Sequence, residues 1–129
     1  MARQSVFAST APKPIGPYSQ ATTAPGLGVL FLSGQTPIDA ATGDLVDGDA
    51  GEQTRRVFHN VEQVLAEAGL GWDDVLKVNV YLTSMADFEA MNSVYRDIFN
   101  EPFPARTTVA VAELPLNARV EIELTAALR

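Results

Sequence analysis

Apolar residues recur along this chain with two distinct periods. Val57, Phe58, Val61, Val64, Leu65 and Ala68 fall at helical spacing and Gly69 follows as a stop, so the pattern predicts a helix over about residues 50 to 68. A second helical stripe is formed by Phe88, Met91, Tyr95, Ile98 and Phe99. Ser84 and Asp87 stand before it at capping-box spacing. Between the two helices, Val75 to Leu82 alternates, which predicts a half-buried strand with Leu76, Val78, Val80 and Leu82 on one face. Gly28 to Ser33 is a short apolar run bounded by glycines and reads as a buried strand entering a tight turn.

The last third predicts two more strands, Arg106 to Ala112 and Arg119 to Leu128, joined by a connection of hairpin length. In the second strand Val120, Ile122 and Leu124 share one face, and Glu121, Glu123 and Thr125 share the other. Two segments read as loops: Ala8 to Pro17, where Pro12, Pro14 and Pro17 lack backbone donors, and the acidic, Gly-containing stretch Asp39 to Gly51. The order is strands, helix, strand, helix, strands, without strict β-α alternation. It predicts an α+β fold, a mixed sheet carrying both helices on one face.

Length and composition narrow the possibilities. The chain of 129 residues fits one domain, residues 1–129, and its 47% apolar and 19% charged content is that of an ordinary globular protein. With no cysteine, a thiolate metal site and a cysteine nucleophile are excluded. No signal-like N-terminus and no run of about 18 apolar residues is present, so a cytoplasmic protein without membrane contact is expected. The net charge of −7 repels polyphosphate and anionic lipid, and nucleic acid is not an expected partner. A small anionic substrate remains compatible, because one Arg in a cleft outweighs a diffuse surface field.

Candidate chemistry is sparse. Arg106 follows Phe103-Pro104-Ala105 at the start of a strand, where its planar fork suits a carboxylate, with an ordinary strand-end Arg as the alternative. Glu121 sits between Val120 and Ile122, and partial burial there raises a carboxyl pKa toward general acid/base use. A solvated carboxylate, or a like-charge pair with Glu123, is the alternative. Gly34 in Ser33-Gly34-Gln35 lets backbone approach a ligand closely, and Tyr18 offers a ring and a hydroxyl. His59 and Arg55 fall on the polar side of the first helix and read as surface residues. No metal-ligand spacing, phosphate loop or nucleophile elbow occurs, so cofactor-free acid/base chemistry is what remains.

With Ala112 paired to Arg119 in a hairpin, Arg106 falls opposite Thr125 on the same sheet face as Glu121. Glu121 is then about 13 Å along the strand from Thr125 at a rise of about 3.3 Å per residue. One hairpin brings the two side chains to one small substrate only with difficulty, and two copies facing each other do so readily. A site shared between subunits is the expectation.

Five stretches in order resemble the RidA/YjgF family of reactive-intermediate deaminases. They are Ile15-Gly16-Pro17-Tyr18-Ser19-Gln20-Ala21; Ser33-Gly34-Gln35 with Pro37 and Ala41-Thr42-Gly43; Gln53-Thr54-Arg55 with Asn60-Val61; Val80-Tyr81-Leu82-Thr83 with Phe88, Asn92 and Tyr95; and Pro104-Ala105-Arg106-Thr107-Thr108-Val109 continuing to Leu114-Pro115 and Val120-Glu121-Ile122-Glu123. The resemblance implies a chorismate-mutase-like α+β fold, a homotrimer with three clefts between subunits, and hydrolysis of 2-imino acids to 2-keto acids and ammonia without cofactor. Carried over by position, Arg106 holds the substrate carboxylate and Glu121 positions or activates the attacking water. Tyr18, Ser33 and Gly34 line the cleft, and the backbone near Thr108 contacts the ligand. The position of Thr108 often carries Cys in such proteins, and here the difference bears on cleft shape and substrate preference rather than on the reaction. Two other readings compete: a trimer that senses a keto acid or amino-acid-like ligand without turnover, and a relative acting on another enamine or aminoacrylate-type substrate. RNA cleavage, attributed to some members of the family, is disfavoured by the acidic charge.

Overall fold

The computed structural model describes residues 2–129. Six strands run β1 (Gln4–Val6), β2 (Ala21–Thr23), β3 (Val29–Gln35), β4 (Val75–Leu82), β5 (Ala105–Ala110) and β6 (Val120–Ala127), with helices α1 (Ala50–Glu67) and α2 (Phe88–Ile98). They form one mixed sheet in the order β1-β2-β3-β6-β4-β5, in which β4 and β5 are parallel and every other pair is antiparallel. This is the predicted α+β architecture.

Both helices pack on one face. Leu30, Leu32, Val78, Val80, Leu82, Val120, Ile122 and Leu124 from the sheet meet Val57, Phe58, Val61, Val64 and Leu65 of α1 and Met91, Val94 and Tyr95 of α2 in one buried cluster. Phe58, Trp72, Tyr95 and Phe99 stack edge to face within it, with centroids 5.4–6.0 Å apart for the T-shaped pairs, the geometry aromatic quadrupoles favour. Helix α1 begins where Asp49 accepts a hydrogen bond from the Glu52 N–H, and its extent matches the periodicity to within a residue. At the second helix Ser84 caps a short 3₁₀ turn, Met85–Asp87, through the Ala86 N–H, and α2 starts only at Phe88.

Two sequence expectations are overturned. β5 and β6 form no hairpin, because β4 lies between them and pairs with both. The helical connection over residues 83–104 is long enough for the crossover a parallel β4–β5 pair requires. The segment 111–119 then passes the end of β4, held there by Val111 N–H to Leu82 C=O and Thr83 N–H to Arg119 C=O. Length alone had suggested a hairpin, yet the same length skips one strand. The second correction concerns Leu76. A register shift between Val75 and Lys77 puts Val75 in the core and Leu76 outside, so the buried set of β4 is Val75, Val78, Val80 and Leu82. A bulged residue of this kind breaks strict alternation.

The other sheet face carries no helix. It presents Phe31 of β3, Asn79 and Tyr81 of β4, Glu121, Glu123 and Thr125 of β6, and Thr107 and Val109 of β5. Phe31 and Val109 are both exposed there.

Candidate active site

The register settles where the two charged candidates stand. Arg106 is aligned with Val78, whose side chain is in the core, and so projects to the helix face. Glu121 is aligned with Tyr81 and projects to the open face. Within one copy they therefore lie on opposite faces of the sheet, and the expectation that they share a face, which rested on the hairpin, is corrected.

Arg106 is held by α2. Its Nη1 donates to Asn92 Oδ1 at 2.7 Å, and the guanidinium lies 4.5 Å from the Tyr95 ring centroid and 5.6 Å from that of Phe88. The rings supply a cation–π platform while Asn92 fixes the fork in its plane. Asn92, Tyr95, Arg96, Phe103, Pro104 and Arg106 line a cavity of about 390 Å³ beside it. Burial pushes the Tyr95 phenol pKa up, and the Arg106 charge opposes that rise. Thr108 follows Arg106 on the same face, with its Oγ1 buried and unpartnered, and it does not line this cavity.

Glu121 stands in a second cavity of about 250 Å³, with Ile15, Tyr18, Ser33, Gly34, Thr36 and Pro115 as its other walls. The structure thus gathers Tyr18, Ser33, Gly34 and Glu121 together and leaves Arg106 and Thr108 elsewhere. Its geometry is set by backbone. The β3–β6 register shifts between Leu32 and Gln35, and at Gly34 an added Cβ would fall 2.2 Å from Glu121 Oε2. A glycine is needed for the carboxylate to lie against the strand. Ser33 Oγ donates to the Ser19 carbonyl at 2.7 Å, so its hydroxyl ties down the loop that carries Tyr18. The Tyr18 hydroxyl accepts from the Ile15 N–H at 3.3 Å. Beneath that loop the buried Gln20 side chain accepts from the Ala8 N–H and donates to the Ala8 and Pro12 carbonyls. A proline-rich segment short of backbone donors is thereby given hydrogen bonds.

Burial raises the Glu121 pKa above its ordinary value of 4.5, and the neighbouring charge of Glu123 raises it further. Glu123 accepts a very short hydrogen bond from the Tyr81 hydroxyl and a longer one, 3.4 Å, from Asn79 Nδ2. That bond, with burial and the two carboxylates, pushes the Tyr81 phenol up to about 12.

Sequence reasoning missed Asn92 as a functional residue, and took Phe88 and Tyr95 as core stripe alone. The available signal was a polar residue set inside an apolar helical stripe at i+4 from Phe88 and i−3 from Tyr95. His59 is exposed on α1, as expected, in a separate depression of about 410 Å³ where Arg55 and Arg56 are mixed with Asp47 and Glu52. Among the described residues no group of three or more His, Asp or Glu is placed to hold a metal, and no helix is long and apolar enough to cross a membrane.

A six-stranded mixed sheet with both helices on one face, an oriented guanidinium on the helix side and a partly buried carboxylate on the open side, defines the class of this protein as an α+β fold with two separate polar cavities. Comparison with known proteins gives the family. The model described as "Endoribonuclease L-PSP" matches residues 8–128, and the chain belongs to that family, the RidA/YjgF type. A RutC family protein of Pyrococcus abyssi is 48% identical, with 98% of each chain covered. A protein of Dermatophagoides farinae named 2-iminobutanoate/2-iminopropanoate deaminase is 45% identical over 88% of this chain and 87% of its own. The crystal structure of a putative endoribonuclease from Thermotoga maritima superposes with a TM-score of 0.92 at 45% identity, covering 98% of each chain.

Proposed function

We propose that this protein is a hydrolytic deaminase of 2-imino acids such as 2-iminopropionate and 2-iminobutyrate, releasing the 2-keto acid and ammonia, and that it works as a homotrimer with sites between copies. The observation that carries this reading is the separation of Arg106 and Glu121 into two half-sites on opposite faces of one sheet. Each half holds one part of the chemistry, and facing copies bring the halves together. The exposed Phe31 and Val109 on the uncovered sheet face give those copies an apolar surface to meet on. The similarity to a relative named as a deaminase of these two imines supports the substrate class.

In the mechanism, the Arg106 fork pairs with the substrate carboxylate, with Asn92 and the Tyr95 ring keeping it oriented. Glu121 of the adjoining copy accepts a proton from water as the oxygen adds to the imine carbon. The same carboxyl then returns that proton to nitrogen, giving the carbinolamine, and the carbinol hydroxyl proton passes to nitrogen as the C–N bond breaks, leaving ammonia and the carbonyl. One water is consumed and no oxidant is needed. The raised Glu121 pKa suits a group that must both take and give a proton, a contribution of roughly 10²- to 10⁴-fold. The absence of cysteine fits a reducing compartment, and the cytoplasm is the proposed location.

The test is hydrolysis of freshly generated 2-iminopropionate and 2-iminobutyrate followed by competition with semicarbazide. The expected result is keto-acid formation well above the buffer rate, lost in Arg106→Ala. A correctly assembled protein with no rate above buffer, yet binding keto acids, would replace this reading with a ligand sensor.

A further inference from the structure

The cavity beside Arg106 contains a second cation that the proposed reaction does not use. Arg96 lies one turn beyond Asn92 on α2, at the i+4 position, so the two share a helix face with their Cβ atoms roughly 5–6 Å apart. Asn92 in turn holds Arg106. Arg96 and Arg106 therefore line one cavity, whose remaining walls are Phe103, Pro104, Tyr95 and Asn92, with no carboxylate among them. In a chain of net charge −7, that is a local reversal of sign.

Arg96 is exposed and makes no ion pair among the described residues, where the two ion pairs present are Arg119 with Asp87 and Arg129 with Asp74. A basic residue in the last turn of a helix suits the helix dipole. That accounts for a cation at this position but not for its sharing a cavity with Arg106. Two guanidinium groups lining one site are matched by a ligand with two anionic groups, and the short helical span between their anchors suits a small one.

We propose, building on the deaminase reading, that Arg96 is a specificity-determining residue and that the preferred substrates are 2-imino acids whose side chain ends in a second carboxylate, four- or five-carbon imino diacids. Arg106 takes the carboxylate next to the imine carbon and Arg96 the distal one. The imine carbon is left free to meet the water aimed by Glu121. The reaction stays the same: water adds, the C–N bond breaks, and the 2-keto diacid and ammonia leave. Enzymes that oxidise acidic amino acids at the α-carbon, passing two electrons to their own acceptor, are the class of reaction that supplies such an imine.

The experiment compares kcat/KM for imines generated in situ by amino-acid oxidases from L-aspartate, L-glutamate and L-alanine, in the full-length protein and in Arg96→Gln and Arg96→Glu. The wild type is expected to favour the diacid imines over the alanine-derived imine. Arg96→Gln should cut the diacid-to-alanine ratio about fivefold, the size of one exposed charge-assisted contact. Arg96→Glu should cut the ratio further. An equal ratio in wild type and both variants, with the alanine-derived imine still hydrolysed, overturns the role of Arg96 and leaves the deaminase reading standing. Should no imine be hydrolysed, the deaminase reading fails, and calorimetry with oxaloacetate and pyruvate decides dicarboxylate recognition independently: tighter oxaloacetate binding that Arg96→Gln abolishes supports it, and equal binding of the two overturns it.

Discussion

The two half-sites of this protein are built in opposite ways. The Arg106 half is made of side chains: a helix presents Asn92, Tyr95 and Phe88 to one guanidinium, which is held by a hydrogen bond and by two aromatic rings. The Glu121 half is made of backbone: a shifted strand register, a glycine that leaves room for the carboxylate, and a loop pinned from below by Gln20. The cation needs orientation, because a fork that rotates loses its bidentate fit. The carboxylate needs partial burial, because its use depends on its pKa. Each construction supplies what its charge requires.

Substitutions that break one half and spare the other sharpen this contrast. The largest expected loss is in Arg106→Ala, about 10²- to 10³-fold in kcat/KM, with Arg106→Lys recovering little because an ammonium lacks the fork. Glu121→Gln should cost about 10²-fold and remove the acid limb of the pH–rate profile, which in the wild type lies above the ordinary carboxylate value of 4.5. Since the folded-state pKa exceeds the unfolded one, protonated Glu121 adds stability that is fully present below 4.5 and lost as pH rises through the folded value. Denaturant melts across that range should lose this decline in the Gln variant.

Gln20→Ala touches no charge and should destabilise the fold by about 2–3 kcal/mol in urea, since three backbone groups beneath the Tyr18 loop lose their partner. The smallest effects belong to the Glu123 network. Glu123→Gln removes a like charge and should move the acid limb to lower pH without abolishing turnover. Tyr81, with its phenol raised to about 12, contributes stability present below pH 10 and lost between 10 and about 12. Tyr81→Phe should flatten stability over that interval.

Much of this was legible in the residues and some was not. The bounds of α1 followed from its apolar period and its glycine stop, and the two faces of β6 followed from strict alternation. For Glu121 the sequence left partial burial and a solvated carboxylate equally open, because Val120 and Ile122 point to the opposite face and say nothing of what covers it. Strand partnership was not. A connection the length of 111–119 serves a hairpin or a strand-skipping return equally well, and only the long helical crossover over 83–104, which places β5 parallel beside β4, decides between them. The expected shared face for Arg106 and Glu121 fell with the hairpin, and a full sheet thickness now divides them, a separation that the proposed second copy has to bridge. Asn92, named only within the family resemblance, was given no role because a polar residue in an apolar helical stripe reads as a tolerated exception until its partner across the fold is known.

The relation between the half-sites is open to a direct test by mixing subunits. Arg106→Ala and Glu121→Ala are each expected to be inactive alone. Co-expressed with different tags and purified as mixed oligomers, they should regain activity, because a cleft that takes Arg106 from one copy and Glu121 from its neighbour is intact in about a quarter of random pairings. Recovery near that fraction of the wild-type rate is the predicted result. Mixed oligomers as inactive as either parent would contradict a site shared between copies.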